Sequence, residues 1–258
     1  MTLLPRLLLA TLSLPALASA AEPHPSTTLG VEAAHESLDN GSDDWRALTL
    51  RARHDFRPRQ LAELTFGETE RFGLRDNQVG MLYSTAIGAA LAATVDANFS
   101  STHRVLARNA AGASLQYEFR KGWLAHAGLR TSDYSSARVN QAHMMIEQYV
   151  GAASWSLAWR PTRAFATPSA ACATTAHSAE LRGAWYYGER NAVRLSFARG
   201  KEAASTPFAV TLTDVRAVAL TGRHAIAPNW MVNYALAHTR NSGLYTRKRI
   251  SGGLAYTL

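Results

Sequence analysis

The stretch Trp45–Phe56 reads Trp-Arg-Ala-Leu-Thr-Leu-Arg-Ala-Arg-His-Asp-Phe, and its side chains sort into two sets on alternate positions. Leu48, Leu50, Ala52 and Phe56 make one face; Thr49, Arg51, Arg53 and Asp55 make the other. A period of two belongs to a β-strand, whose successive side chains point to opposite sides. A soluble sheet would turn the charged set to water. If the sheet instead closes on itself, the apolar set meets lipid and the charged set lines an interior.

The same alternation recurs outward from this stretch in both directions. Ala62, Leu64 and Phe66 oppose Glu63, Thr65, Thr69 and Arg71; Leu91, Val95 and Phe99 oppose Thr94, Asp96 and Asn98; Ala113, Leu115, Tyr117 and Phe119 oppose Ser114, Gln116 and Glu118. Later, Trp155, Leu157 and Trp159 oppose Ser154, Ser156 and Arg160, while Leu181, Trp185 and Tyr187 oppose Glu180, Arg182 and Tyr186. Val193, Leu195 and Phe197 stand against Arg190, Arg194 and Ser196. The pattern predicts about fourteen strands, within a range of roughly 12–16. They start near residues 27, 45, 60, 75, 89, 104, 123, 138, 152, 177, 190, 213, 229 and 245. The fold class this defines is all-β, a transmembrane antiparallel up-and-down barrel.

Residues 1–20 read differently. Arg6 supplies positive charge, Leu7 to Leu17 is apolar, and Ala18-Ser19-Ala20 is a small-residue cleavage site, so this segment is expected to be a signal peptide and residues 21–258 the barrel domain. No later stretch is apolar for the ~20 residues of a membrane helix. The single cysteine, Cys172, has no partner in the chain and is read as a tolerated surface thiol.

Connection lengths and aromatics orient the barrel. Turns such as Arg57-Pro58-Arg59, Lys121-Gly122 and Gly188-Glu189 are short, whereas Asp39 to Asp44 and two segments near Pro161–Thr175 and Gly200–Leu212 are read as longer loops. Short periplasmic turns and longer outer loops are usual for such barrels. Phe56, Phe119, Tyr187, Trp123, Trp155 and Trp230 flank the short turns, as a periplasmic aromatic girdle would. The last strand, Tyr245 to Leu258, puts Ile250, Leu254, Tyr256 and Leu258 on one face and Arg247, Arg249, Ser251 and Thr257 on the other. It is suited to close against a first strand whose lipid side is Leu29, Val31 and Ala33. It also resembles the C-terminal signal read by the outer-membrane assembly machinery, although Leu258 stands where that signal usually has Phe or Trp.

The formal charge is +8, about +7 once Arg6 is removed. The basic residues are spread singly along strands and not clustered, which argues against nucleic acid as a partner.

Several phrases carry a family likeness: Asp43-Asp44-Trp45, Arg71-Phe72-Gly73, Tyr186-Tyr187-Gly188 with Arg190, Thr213-Asp214-Val215-Arg216 with Gly222-Arg223-His224, and Tyr245-Thr246-Arg247. In their order and spacing the chain resembles the YaiO family of outer-membrane β-barrel proteins. The resemblance is expected to span the whole mature chain, with its more specific phrases in the second half. It implies the outer membrane of a Gram-negative bacterium and the barrel fold, and it brings no established catalytic residues.

Strand phase assigns Glu32, Glu36, Glu63, Asp96, Glu118, Glu147 and Glu180 to the lumen, with Arg51, Arg53, Arg71, Arg108, Arg130, Arg160, Arg182, Arg190, Arg194, Arg223, Arg247 and Arg249. On this reading basic groups outnumber acidic ones. They either pair across strands into a rigid lattice or line a passage that favours anions. The function expected is a channel or export pore for an anionic solute, linked to polysaccharide export. The alternatives are a structural or envelope-assembly barrel with a filled interior, and a lipid-modifying enzyme. Outer-membrane lipid and lipopolysaccharide are the expected surroundings. For an enzyme, His126 and Glu147 would face each other across a hairpin, with Arg130 opposite His143 and Ser132 further along. No nucleophile-elbow motif supports this, so a non-enzymatic protein is expected. No cofactor motif occurs, and His143 and Glu147, four apart on a strand and so about 13 Å from each other, cannot share a metal ion.

Overall fold

The computed structural model describes residues 25–166, 173–188, 190–205 and 210–258; the expected signal peptide and Cys172 lie outside these. The strands are β1 (Ser26–Leu38), β2 (Trp45–Arg57), β3 (Gln60–Arg71), β4 (Leu74–Ala86), β5 (Leu91–Ser100), β6 (Asn109–Arg120) and β7 (Trp123–Asp133). They continue as β8 (Ala137–Val150), β9 (Ala153–Ala166), β10 (Ala173–Tyr187), β11 (Asn191–Ser205), β12 (Val210–Ala227), β13 (Trp230–Asn241) and β14 (Tyr245–Thr257). Each pairs antiparallel with its chain neighbours, and β1 pairs with β14, so the sheet is a closed barrel without edges. The seam is in the expected phase: Leu29 faces Tyr256 and Val31 faces Leu254 on the outside, while Glu36 faces Arg249 on the inside.

The exterior carries the apolar set. Leu48, Leu50, Leu64, Phe66, Leu115, Leu157, Leu181, Leu195 and Phe197 are all exposed on the wall, as hydrocarbon contact requires. At the short-turn end, rings follow one another around the outside: Phe119 to Trp123, Trp123 to Trp155, Trp185 to Tyr187, Tyr187 to His224, and His224 stacked on Tyr234. The three register shifts in the wall, at Phe56, Phe119 and Ile226, also lie beside these turns. Each bulge sets an apolar side chain outward at the membrane boundary.

Three expected boundaries move. β9 runs to Ala166 and β11 to Ser205, so much of the two segments read as long loops is strand. Cross-strand pairing carries both strands past the expected loop starts at Pro161 and Gly200. Conversely β6 begins at Asn109 and not near residue 104; the residues before it form an outer loop, Ser101–Arg108. A third outer connection is a two-residue turn in which Phe72 and Gly73 have φ of 53° and 70°. Positive φ at both central residues is the geometry that follows strand twist, and Gly73 adopts it freely. For Phe72 it is strained, and the ring is held edge-on to Trp45 at 5.1 Å.

Candidate functional site

The interior is described from its outer mouth inward. Asp76 on β4 points inward beside Thr69 and is completely buried. Its carboxylate accepts the backbone N–H groups of Arg104 at 2.9 Å, Val105 at 2.7 Å and Leu106 at 2.8 Å. An inward-facing carboxylate can collect these donors only if the Ser101–Arg108 loop folds into the mouth, and Val105 and Ala107 are correspondingly buried. Ser100 Oγ accepts the His103 N–H, and the Ser135 hydroxyl donates to the His103 carbonyl from the next outer loop. The sequence pattern predicts the start of a strand near residue 104, whereas the strand begins at Asn109 and the residues before it form this inward loop. The signal that could have found it is the run Ser101-Thr102-His103-Arg104, which breaks the alternation.

A second cluster lies at the seam side of the mouth. Glu36 on β1 accepts from Arg249 at 2.9 Å and pairs with Arg247 at 3.2 Å, both on β14. Trp45, 1% exposed, receives the guanidinium of Arg71 at 4.9 Å and that of Arg247 at 5.1 Å from its ring centroid, with Tyr245 edge-on. Three cations thus converge on one carboxylate and one indole, an arrangement in which ring and acid share the neutralisation.

Deeper in, the two halves of the wall differ. On β9 and β10, Glu180 pairs with Arg160 at 2.6 Å and Arg182 at 2.8 Å, and their side chains keep only 8%, 12% and 12% exposure. Nearby Tyr149 and Tyr186 stack, and Ser154 bridges Tyr186 and Glu147. The opposite half is built from small residues, including Thr49, Thr65, Gly67, Gly80, Gly112 and Ser114, and its charges are more open. Arg51 pairs with Glu63 at 3.5 Å, Arg53 with Asp55 at 2.6 Å, and Arg130 with Asp96. Arg51, Glu32 and Arg249 retain 44%, 38% and 33% exposure although they face the interior.

Two sites assigned to the lumen lie elsewhere. Arg190 sits in the turn between β10 and β11 and donates to the Pro228 carbonyl at the short-turn rim, because the strand begins one residue later. Arg108 closes the inward loop, donating its N–H to the Asp133 carbonyl. Asp55, Asp76 and Glu202, which strand phase turns inward, join the interior. Glu118 accepts the Gly122 N–H at the short-turn end. These changes remove most of the expected basic surplus. What remains is local: among the described residues, no carboxylate lies within ion-pair distance of Arg194 or Arg223. Arg223 on β12 and Arg194 on β11 are diagonal neighbours on the inner face, because Arg223 has Ala192 as its register partner and Arg194 has Thr221. His126 and Glu147 do meet, at 3.5 Å, but His143 faces Gly128, and Arg130 faces Gln141.

A closed fourteen-strand barrel with an apolar exterior, an aromatic belt and a charged interior is an outer-membrane β-barrel protein. The YaiO membrane β-barrel domain matches residues 26–205, and the chain belongs to that family. The phrases from Thr213 to Arg247 that suggested the family fall beyond the matched residues, so the recognisable part is narrower than expected and lies in β1–β11. No curated protein sequence matches the chain. Solved structures share its architecture. OmpT of Vibrio cholerae has 8% identity over 93% of this chain and 99% of its own, with a TM-score of 0.54. Omp33 of Acinetobacter baumannii has 10% identity over 90% and 99%, also at 0.54. An outer-membrane channel of Pseudomonas putida F1 has 8% identity over 92% and 97%, at 0.55. At such identities the likeness is one of fold.

Proposed function

We propose that the protein is a non-enzymatic channel that passes small or linear anionic solutes, with polysaccharide bearing carboxylates as the solute class linked to export. The observation that carries this reading is the solvent access of Arg51, Glu32 and Arg249 inside a closed wall. Water that reaches these groups also gives an ion a path beside the packed β9–β10 wall. Fourteen strands enclose more space than the eight whose interior side chains fill it. Anion preference is assigned to Arg194 and Arg223, diagonal neighbours with no carboxylate in ion-pair range among the described residues. Guanidinium suits carboxylate because its planar fork makes two parallel hydrogen bonds.

Planar-bilayer recording tests the reading. Anion-selective conductance is expected, falling towards non-selectivity in Arg194→Ser/Arg223→Ser. Silence at every voltage, or firm cation selectivity, overturns it. The packed cluster around Glu180, Tyr149 and Tyr186 favours the second reading, a structural barrel with a filled interior, for which silence is the prediction.

A further inference from the structure

The outer wall carries a basic ladder that the lumen does not use. Arg199 on β11 is the register partner of Arg216 on β12, and Arg216 is the partner of Arg240 on β13. All three lie on the face of Phe197, Val218 and Leu236, which is the lipid face, and all three are exposed. With neighbouring strands about 4.8 Å apart, the three residues span about 10 Å on one rung. Like charges placed directly opposite repel and destabilise a sheet. Here the repulsion occurs twice in succession, with no carboxylate in ion-pair range among the described residues.

The surrounding groups do not relieve it. On the adjacent rung towards the short turns, Phe197 and Val218 are followed by His238 and Lys248, so a further cation stands diagonal to Arg240. On the rung towards the outer loops, Asp214 has Lys201 as its register partner. Asp39, at the end of the arginine rung beyond Thr246, already accepts the Thr246 N–H at 2.6 Å. The face therefore presents Arg199, Arg216 and Arg240 with no ion-pair partner among the described residues, and beside them Lys248, which lies near Asp39.

Its depth identifies the counter-charge. Phe197 is a lipid-facing ring, and the arginine rung lies two residues beyond it, about 7 Å further along the strand towards the outer loops. That puts the guanidinium groups on the outer-loop side of the last lipid-facing ring of β11, where cationic side chains cost less than at mid-membrane and anionic headgroups are at hand. Among the described residues the aromatic belt at the other end has no corresponding ladder, so the feature belongs to one leaflet. We infer that Arg199, Arg216 and Arg240 form a binding site for the phosphates of an outer-leaflet glycolipid, namely the diphosphorylated lipid A portion of lipopolysaccharide. Arginine forks match phosphate oxygens in pairs, and three on one rung can hold one phosphate while Lys248 approaches a second.

Native mass spectrometry of the folded full-length barrel in detergent, titrated with diphosphorylated lipid A, tests this. Wild-type protein is expected to retain one lipid A, and the variant Arg199→Ser/Arg216→Ser/Arg240→Ser at least tenfold less. The variant Arg57→Ser/Arg120→Ser/Lys121→Ser removes equal charge at the short turns and should bind as wild type does. Should the triple variant not fold, judged by its heat-modifiable band, Arg216→Gln alone removes the central cation and is expected to lose about threefold. Dephosphorylated lipid A should bind weakly and equally to all. Equal retention by wild type and the ladder variants overturns the proposal, as does an equal loss in the short-turn variant. Displacement of the lipid by millimolar inorganic phosphate would assign the site to free phosphate and also overturn it.

Discussion

The guanidinium of Arg247 on β14 lies 5.1 Å from the ring centroid of Trp45 on β2, reaching past β1 to do so. Arg71 takes another position on the same ring at 4.9 Å, so one buried indole links β3, β2 and β14 across the closure of the barrel. Trp45→Ala opens a cavity and leaves two guanidinium groups without their ring. Large-to-small changes of this kind cost about 3–5 kcal/mol in packed interiors. The expected result is a lower temperature for conversion of the heat-modifiable band, with Trp45→Phe recovering most of the loss.

Asp76 holds the inward loop by three backbone N–H groups. In Asp76→Ala these donors lose their acceptor, at a cost of about 1–3 kcal/mol for each one left buried and unsatisfied. The loop should then leave the mouth. Trypsin added outside reconstituted vesicles should cut after Arg104 in the variant and leave wild type intact, and the variant's conductance trace should show more open-state noise. Asp76→Asn, which keeps an acceptor oxygen, should fall between the two.

Glu180 is the shared partner of Arg160 and Arg182 in the packed half of the lumen. Removing one member of a buried ionic group strands the remaining charges, a loss of about 3–5 kcal/mol. Glu180→Gln should therefore lower heat resistance. In bilayers it should also raise the anion-to-cation permeability ratio, because two cations lose their counter-charge.

Gly200 on β11 faces Ser178 on β10, and a Cβ built there would lie 2.6 Å from the Ser178 Cα and 2.7 Å from the His177 carbonyl. Both obstacles are backbone, so the strands must part to admit a side chain. Gly200→Ala is expected to cost about 1–3 kcal/mol as an overpacked position. Urea unfolding in detergent should show the shift in midpoint.

Asp39, in the outer connection after β1, accepts the Thr246 backbone N–H, which with the Thr246 hydroxyl holds its pKa below the ordinary 3.8. The reciprocal bond from the Asp39 N–H to the Thr246 carbonyl is 3.2 Å. A depressed carboxylate contributes stability above its unfolded pKa and loses it as pH falls through the folded value. Asp39→Ala should thus loosen the outer end of the seam at pH 7. Hydrogen exchange at Thr246 should be faster in the variant at neutral pH, with the difference from wild type fading as pH falls through the folded Asp39 pKa, below its ordinary 3.8.

Most of the architecture was legible in the chain. Alternation in stretches such as Trp45–Phe56 determined strand, phase and the choice of lipid or lumen for each side chain, because hydrocarbon admits only a wall whose backbone groups are all paired. The even strand number and the asymmetry of the turns followed from the same text. Tertiary structure decided what depends on register and on loops. Register set Arg199, Arg216 and Arg240 on one rung, although they are far apart in sequence. Loop folding brought Arg104–Leu106 onto Asp76, and pairing drew much of two apparent loops into strands. A period of two states which face a residue takes; only the closed sheet states which residues it meets there. Many of the lumen's charged groups could be named from the sequence, but the displacement of Arg108 and Arg190, the addition of Asp55, Asp76 and Glu202, and the pairing of the rest depended on register and loop folding.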